Sequence, residues 1–278
     1  MRLNHNMISM KIYKTYKNTL SEASQAVNNI STGKKVGSAK DNPNKIAEIE
    51  NLDLQVKARD AVSQNIQDTN SMLQTFDGAL QEINNNLSRL KELTVKASTG
   101  TYNDEDLNVM QKEIDGVKKT INDLCENTTF NGKKLTSNLA AASNINTPEQ
   151  KQATIGALPN EKTYISFYNL EGIMNLNSID VTIDPQSAIN TVDEAVINIS
   201  KIRSRYGALQ SRLEDSILTS DEISEVYTRA QSGCEDADIA EEMLTYAKTQ
   251  ILYKTSIGLM AQSNKLPKDA LNVLANVR

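Results

Sequence analysis

The chain has 278 residues, enough for one large domain or two small ones, but no Trp, three Phe, five Pro and eleven Gly. A thick multilayer globule therefore lacks its bulky core fillers, and the abundance of Leu, Ile, Ala, Asn, Lys and Glu suits elongated helices with polar outer faces. A net charge of −5 with no basic face excludes an electrostatic footprint for nucleic acid, and no apolar run approaches the ~20 residues that insert across a bilayer.

The N-terminus reads Met1-Arg2-Leu3-Asn4-His5-Asn6, with no apolar signal core after it. Such a chain is expected to stay in the cytosol or to leave by a route that reads no cleavable signal. An amphipathic helix is predicted over roughly the first 35 residues, with Ile8, Ile12, Tyr16, Leu20, Ala23, Val27 and Ile30 on one side. Gly33 and Gly37 break it, and residues 37–41 read as an extended connector. Asn42 and Pro43 then start a second helix, because Asn caps well and Pro fits the first helical position.

In that second helix Ile66, Thr69, Leu73, Phe76, Leu80, Ile83, Leu87, Leu90, Thr94 and Ala97 follow at alternating steps of three and four. This spacing holds one stripe on one face of a helix and marks a long helix lying against others. Gly100 ends it. Asp104-Glu105-Asp106 place negative charge at the positive end of a third helix, which carries Leu107, Met110, Ile114, Val117, Ile121 and Leu124 and runs to about Asn127. The short connection makes the third helix antiparallel to the second.

Phe130-Asn131-Gly132-Lys133 is a strong hairpin signal. Residues 137–160 read as exposed loop, so that removal of 140–158 is expected to be tolerated. Residues 163–168 and 179–183 read as two short strands. Asp184 and Pro185 restart helix with Ala188, Val192, Ala195, Ile199, Ile202, Tyr206, Leu209 and Leu213 in register, and Thr219-Ser220-Asp221-Glu222 offers a second possible start. A last helix, about Asp236 to Asn264, carries Ile239, Met243, Ala247, Ile251 and Met260, and Pro267 is predicted to end or kink it.

The predicted fold is mainly α: a long antiparallel helical bundle or coiled-coil rod in which the N- and C-terminal halves pair, with a small β-hairpin insert. The expected divisions are 1–40 (terminal helix and connector), 41–136 (rod helices and hairpin), 137–184 (short surface insert), 185–235 (C-terminal rod helix) and 236–278 (last helix). The rod core is assigned to Ile66, Leu73, Phe76, Leu80, Ile83, Leu87, Leu90, Ile114, Val117, Ile121, Ile199, Ile202, Tyr206, Leu209 and Leu213. The apolar faces of the two terminal helices, represented by Ile8, Ile12, Leu20, Val27, Ile239, Met243 and Ile251, have no third layer to cover them and are read as assembly surfaces.

No enzymatic constellation is present in the sequence, and no catalytic residue, cofactor or metal is expected. The single histidine, His5, cannot build a histidine metal site, and Cys125 and Cys234 lie far apart without CxxC spacing and read as ordinary small helical residues.

Several ordered segments carry a resemblance. Met1-Arg2-Leu3-Asn4-His5-Asn6, Asn28-Asn29-Ile30-Ser31-Thr32-Gly33, Ser38-Ala39-Lys40-Asp41 and Ser71-Met72-Leu73-Gln74-Thr75-Phe76-Asp77-Gly78-Ala79-Leu80 come first. Leu90-Lys91-Glu92-Leu93 and Thr129-Phe130-Asn131-Gly132-Lys133-Lys134-Leu135 follow. Tyr206-Gly207-Ala208-Leu209-Gln210-Ser211-Arg212-Leu213-Glu214 and Asp236-Ala237-Asp238-Ile239-Ala240-Glu241-Glu242-Met243 complete the set. Together they resemble bacterial flagellins over roughly 1–136 and 176–278, leaving only the insert outside.

The resemblance implies a secreted, extracellular structural subunit that polymerises into the flagellar filament for swimming motility after unfolded type III export. The terminal helices would line the inner tube and the insert would face outward. Partners implied are further copies of the chain, filament cap and hook-junction proteins, an export chaperone on the C-terminal helix, and the host Toll-like receptor for flagellin through Arg89, Leu93 and Glu113. One departure stands out: Gly233-Cys234-Glu235 occupies positions that are usually basic in the family. Rival readings are a hook–filament junction protein, which shares the terminal helices, and a secreted helical effector or adhesin that borrows the fold.

Overall fold

The computed structural model describes residues 6–137, 140–157 and 161–275. Its elements are α1 (Met7–Thr32), α2 (Pro43–Ala97), α3 (Asp104–Asn127), the two-residue strands β1 (Thr129–Phe130) and β2 (Lys133–Lys134), then β3 (Glu149–Thr154) and β4 (Lys162–Phe167), the short α4 (Leu170–Met174), α5 (Pro185–Glu235) and α6 (Ile239–Ala275). Contacts gather into two compact units, one of residues 1–54 with 226–278 and one of residues 55–225.

Helix boundaries follow side-chain chemistry. Asn42 accepts the backbone N–H of Lys45 at 3.2 Å and Asn103 that of Asp106 at 2.8 Å, while Asp184 takes those of Gln186 and Ser187, each at 3.1 Å. Gly33 closes α1 with a φ of 72°, a left-handed conformation that costs glycine little. The segment after it is not extended: the N–H of Asp41 donates to the Ser38 carbonyl at 2.9 Å and the Asp41 carboxylate accepts the Ser38 N–H, closing a turn. The Asn131-Gly132 hairpin forms as expected, with φ of 46° and 75° at its two central residues.

In the larger unit α2, α3 and α5 enclose one core. Its direction is read from polar cross-links: Asp77 with Arg203 and Lys91 with Asp193 join α2 to α5 in opposite numerical order, so these helices are antiparallel. Arg89 with Glu113 ties α2 to α3. Ile66, Leu73, Phe76, Leu80, Ile83, Leu87, Leu90, Ile114, Ile121, Ile199 and Ile202 are fully buried there, Tyr206 and Leu213 nearly so, and Val117 and Leu209 pack partly buried against them. α5 runs without a break through Gly207 and 219–222, so the second cap signal is not used.

The insert departs most from expectation. Residues 149–154, within the stretch read as loop, form β3 and pair antiparallel with β4, Glu149 opposite Phe167 and Thr154 opposite Lys162. The alternation of β4 turns Thr163, Ile165 and Phe167 inward, and Phe167 meets Phe76 edge to face at 6.0 Å between ring centres. Residues 179–183 are not a strand. Their alternating pattern is real, since Ile179 and Val181 are buried, but helix side chains satisfy the backbone instead. Gln111 accepts the Val181 N–H at 3.0 Å and Lys118 donates to the Ile179 carbonyl at 2.9 Å. Because β3 carries one side of this small sheet, deletion of 149–154 is expected to destabilise the larger unit. Uncovering Ile165 and Phe167 alone is worth on the order of 3 kcal/mol, read as a lower urea midpoint; an unchanged midpoint would place β3 outside the folded core.

α6 also differs: it continues through Pro267 to Ala275 rather than ending. Cys125 is buried, and burial pushes its thiol up to about 12. Above pH 9 the unfolded thiol ionises and the folded one does not, so this group's contribution to stability falls by about 1.4 kcal/mol per pH unit until the folded value is passed. At pH 8 a disulfide reagent is expected to titrate one thiol in the folded chain, the half-exposed Cys234, and two after denaturation. Two fast-reacting thiols in the native protein would contradict the packing.

Candidate functional site

The smaller unit is built on α1 and α6, which lie antiparallel. Asn6 meets Ser263, Tyr16 stacks on Tyr253 with ring centres 5.3 Å apart, and Asn29 donates to Glu242 at 2.9 Å, so rising numbers in one helix face falling numbers in the other. The seam on α1 is Ile12, Tyr16, Thr19, Ala23, Ala26 and Ile30; on α6 it is Glu242, Tyr246, Thr249, Tyr253, Ser256, Met260 and Ser263. Both repeat at alternating steps of three and four, the knobs-and-holes spacing of paired helices.

The most buried positions of this seam are small. Thr19, Ala23, Ala26, Thr249, Ser256 and Ser263 are all below one-tenth exposed. The hydroxyls of Thr19 and Thr249 turn back onto carbonyls of their own helices, at 2.9 Å to Tyr16 and 2.9 Å to Tyr246, leaving methyl groups for the partner helix. The Tyr16 phenol is raised above its ordinary value chiefly by its hydrogen bond with Tyr253. Large apolar residues outside the buried positions stand in solvent: Ile8 at 61%, Met243 at 51% and Ile251 at 66% exposed, with Leu20, Val27, Ile239 and Leu244 also exposed. Of the residues assigned to assembly from sequence, Ile12 is partly buried in the seam and the others are exposed.

Sequence periodicity missed the seam of α6, because Thr249, Ser256 and Ser263 score as polar. Their exact sevenfold spacing was the available signal. At the junction of α5 and α6 the backbone of the connector pairs with that of the turn. Lys35 N–H donates to the Glu235 carbonyl at 2.7 Å and Ala237 N–H to the Gly33 carbonyl at 2.9 Å. Glu235, one of the positions that departs from the family pattern, takes the Lys34 ammonium, which raises the Lys34 pKa.

In the larger unit, Arg89 and Glu113 are half-exposed and joined at 2.6 Å, a contact that raises the Arg89 pKa, while Leu93, one turn further along α2, is buried at 3%. His5 lies outside the described residues. Among the described residues there is no cluster of His, Cys, Asp or Glu able to hold a metal ion, and no helix is long and apolar enough to cross a membrane.

Comparison with known proteins fits this geometry. The family model for the bacterial flagellin N-terminal helical region matches residues 3–141, and that for the C-terminal helical region matches 189–274. A flagellin of Halalkalibacterium halodurans is 30% identical, the alignment covering 99% of this chain and 100% of the relative. The flagellar filament 33 kDa core protein of Treponema phagedenis is 29% identical with the same coverage. The crystal structure of Bacillus cereus flagellin shares the fold at a TM-score of 0.50 and 22% identity, over 56% of this chain and 88% of that one. With both terminal helical regions matched on either side of the insert, and a relative aligned from end to end, the chain belongs to the bacterial flagellin family.

Proposed function

We propose that this chain is a structural subunit of the bacterial flagellar filament, not an enzyme, and that it polymerises through the outer faces of α1 and α6. The observation that carries this reading is the inverted placement of residue size in the terminal pair. Thr, Ser and Ala fill most of the buried seam, and Ile8, Met243, Leu244 and Ile251 stand in solvent. A soluble chain gains nothing from that arrangement unless other copies cover the outer face. Relatives named flagellin and filament core protein, aligned over nearly their whole lengths, support the same conclusion.

In this reading helices pack laterally and along a tube, and rotation of the tube produces thrust. The finer partners follow from family membership: cap and hook-junction proteins at the filament ends, an export chaperone on α6 during passage out of the cell, and an extracellular location in the filament. A host receptor of the Toll-like class reading the Arg89–Glu113 surface would meet an ion pair, while Leu93 is buried in the rod and offers it little surface.

Purified protein is expected to form long filaments visible by negative-stain electron microscopy and sedimentable from solution. Exclusively short oligomers would favour the hook–filament junction reading, and a permanent monomer the effector or adhesin reading.

A further inference from the structure

We propose that the open edge of β3 is a self-association surface held shut by Lys151, whose charge keeps a second copy of this chain from adding its own β3 there. In an antiparallel pair, successive residues bond toward the partner strand and away from it by turns. The Ile155 N–H donates to the Glu161 carbonyl at 3.0 Å, which sets 149, 151 and 153 toward β4. Gln150, Gln152 and Thr154 therefore turn their N–H and C=O groups to the other side, where no described residue bonds them. The outer edge of β4 is covered by contrast, the Tyr206 hydroxyl donating to the Ser166 carbonyl at 2.9 Å. An unpaired row of this kind is a template for another strand.

Lys151 stands in the middle of that edge, on its inner face. It lies opposite Ile165, which is buried, so both side chains leave the sheet on its packed side. Its ammonium sits 4.7 Å from the centre of the Phe167 ring and 3.5 Å from the Glu149 carboxylate. There it lines a groove of about 460 Å³ between the sheet and Asn65, Asp68 and Met72 of α2. The side chain stays 46% exposed, because at an edge a long stem carries its charge out past the rim. A strand laid along the rim closes that exit, and the ammonium must then be desolvated. Mating the outward groups of two copies antiparallel places Gln152 against Gln152 and Gln150 against Thr154, and sets each Lys151 against the other copy's Ala153. The two lysines become diagonal neighbours, roughly 7–8 Å apart, with like charges on one face. The outward side chains, Gln150, Gln152 and Thr154, are uncharged and offer a second copy no such obstacle. What this means for filament growth rests on the proposed function: copies crowded at a growing end are left the terminal helices to join by. The guarded edge itself is a property of the folded larger unit.

The experiment uses the full-length chain with Gln152→Cys as reporter and Cys234→Ser to remove the half-exposed thiol. In the paired register the two reporter thiols face each other closely enough for a disulfide, with oxidised glutathione as the oxidant. Non-reducing electrophoresis reads the share of linked dimer. Adding Lys151→Thr is expected to raise that share about tenfold, since both the like-charge contact and the desolvation are then gone. Lys151→Arg keeps the charge and is expected to leave the share where the parent has it. Moving the reporter to Gln150→Cys, which faces Thr154 in this register, is expected to give little dimer even alongside Lys151→Thr. Helical circular dichroism checks that each variant is folded, and Lys151→Gln takes the place of Lys151→Thr, with the same expectation, if that variant does not fold. Ample dimer with Lys151 in place would overturn the proposal, as would no gain on removing its charge or equal linkage from both reporters. Sedimentation of the same proteins keeps the two readings apart. A parent that never forms polymer, yet whose linkage depends on the charge at 151, retains the guarded edge and loses the filament assignment.

Discussion

Leu80→Asp is expected to unfold the larger unit at room temperature. Leu80 is completely buried midway along the stripe that α2 turns toward α3 and α5, with Phe76, Ile83, Ile199 and Ile202 in the same cluster. Removing a buried Leu side chain alone costs about 2–5 kcal/mol. An aspartate adds an unpaired carboxylate, which must either be desolvated or take up a proton. The combined loss, on the order of 5 kcal/mol or more, is comparable with the whole stability of a typical domain. Helical circular dichroism at 222 nm and motility of a strain carrying the variant are expected to fall together. A thermal transition like that of the parent would mean that Leu80 does not lie in the seam.

Ile251→Asp and Met243→Asp are expected to do the reverse, sparing the fold and abolishing the polymer. Both side chains stand more than half exposed on the outer face of α6, so a carboxylate there stays hydrated in the free chain and surface substitutions of this kind change stability little. In the proposed filament the same positions would be covered by neighbouring copies. Each loses roughly 1.5–3 kcal/mol of apolar burial per subunit, and the added charge must be desolvated besides. Because every subunit repeats the defect, a tenfold weakening for each 1.4 kcal/mol compounds along the growing tube. The expected result is native helical content with protein left in the supernatant after sedimentation. If both variants polymerise as the parent does, the outer face of α6 is not an assembly surface. Polymer loss accompanied by loss of helix would instead place Met243 and Ile251 in the fold.

How much of this could be seen beforehand depended on what drives each element. The long helices were legible because Leu, Ile and Val recur along 66–90, 114–121 and 192–213 with the helical period, and their caps at Asn42 and Asp184 used side chains with one favoured local role. β3 was hidden by its composition. Glu149, Gln150, Lys151 and Gln152 have no strand signature, and the segment is extended because β4 offers it a hydrogen-bonding edge. Residues 179–183 misled for the opposite reason: burial of alternate side chains looks the same whether another strand or Gln111 and Lys118 bond the backbone. The outer residues of the terminal helices were found by their hydrophobicity. The α6 side of the seam was not, since Thr249, Ser256 and Ser263 take there the buried positions that larger side chains take elsewhere.

The smallness of that seam has a thermodynamic consequence. An aliphatic-poor interface releases little apolar surface when it opens, so the α1–α6 pair contributes only a shallow, low-temperature transition of its own in dilute solution. On the proposed function its stability would be set by mass action, because copies covering the outer faces would bind the closed pair and not the open one. The melting temperature of this unit therefore rises with protein concentration, whereas that of the Leu80-containing core does not. Concentration would then serve as the ordering signal for the proposed polymer, leaving the pair loose in dilute solution and firm at a growing end.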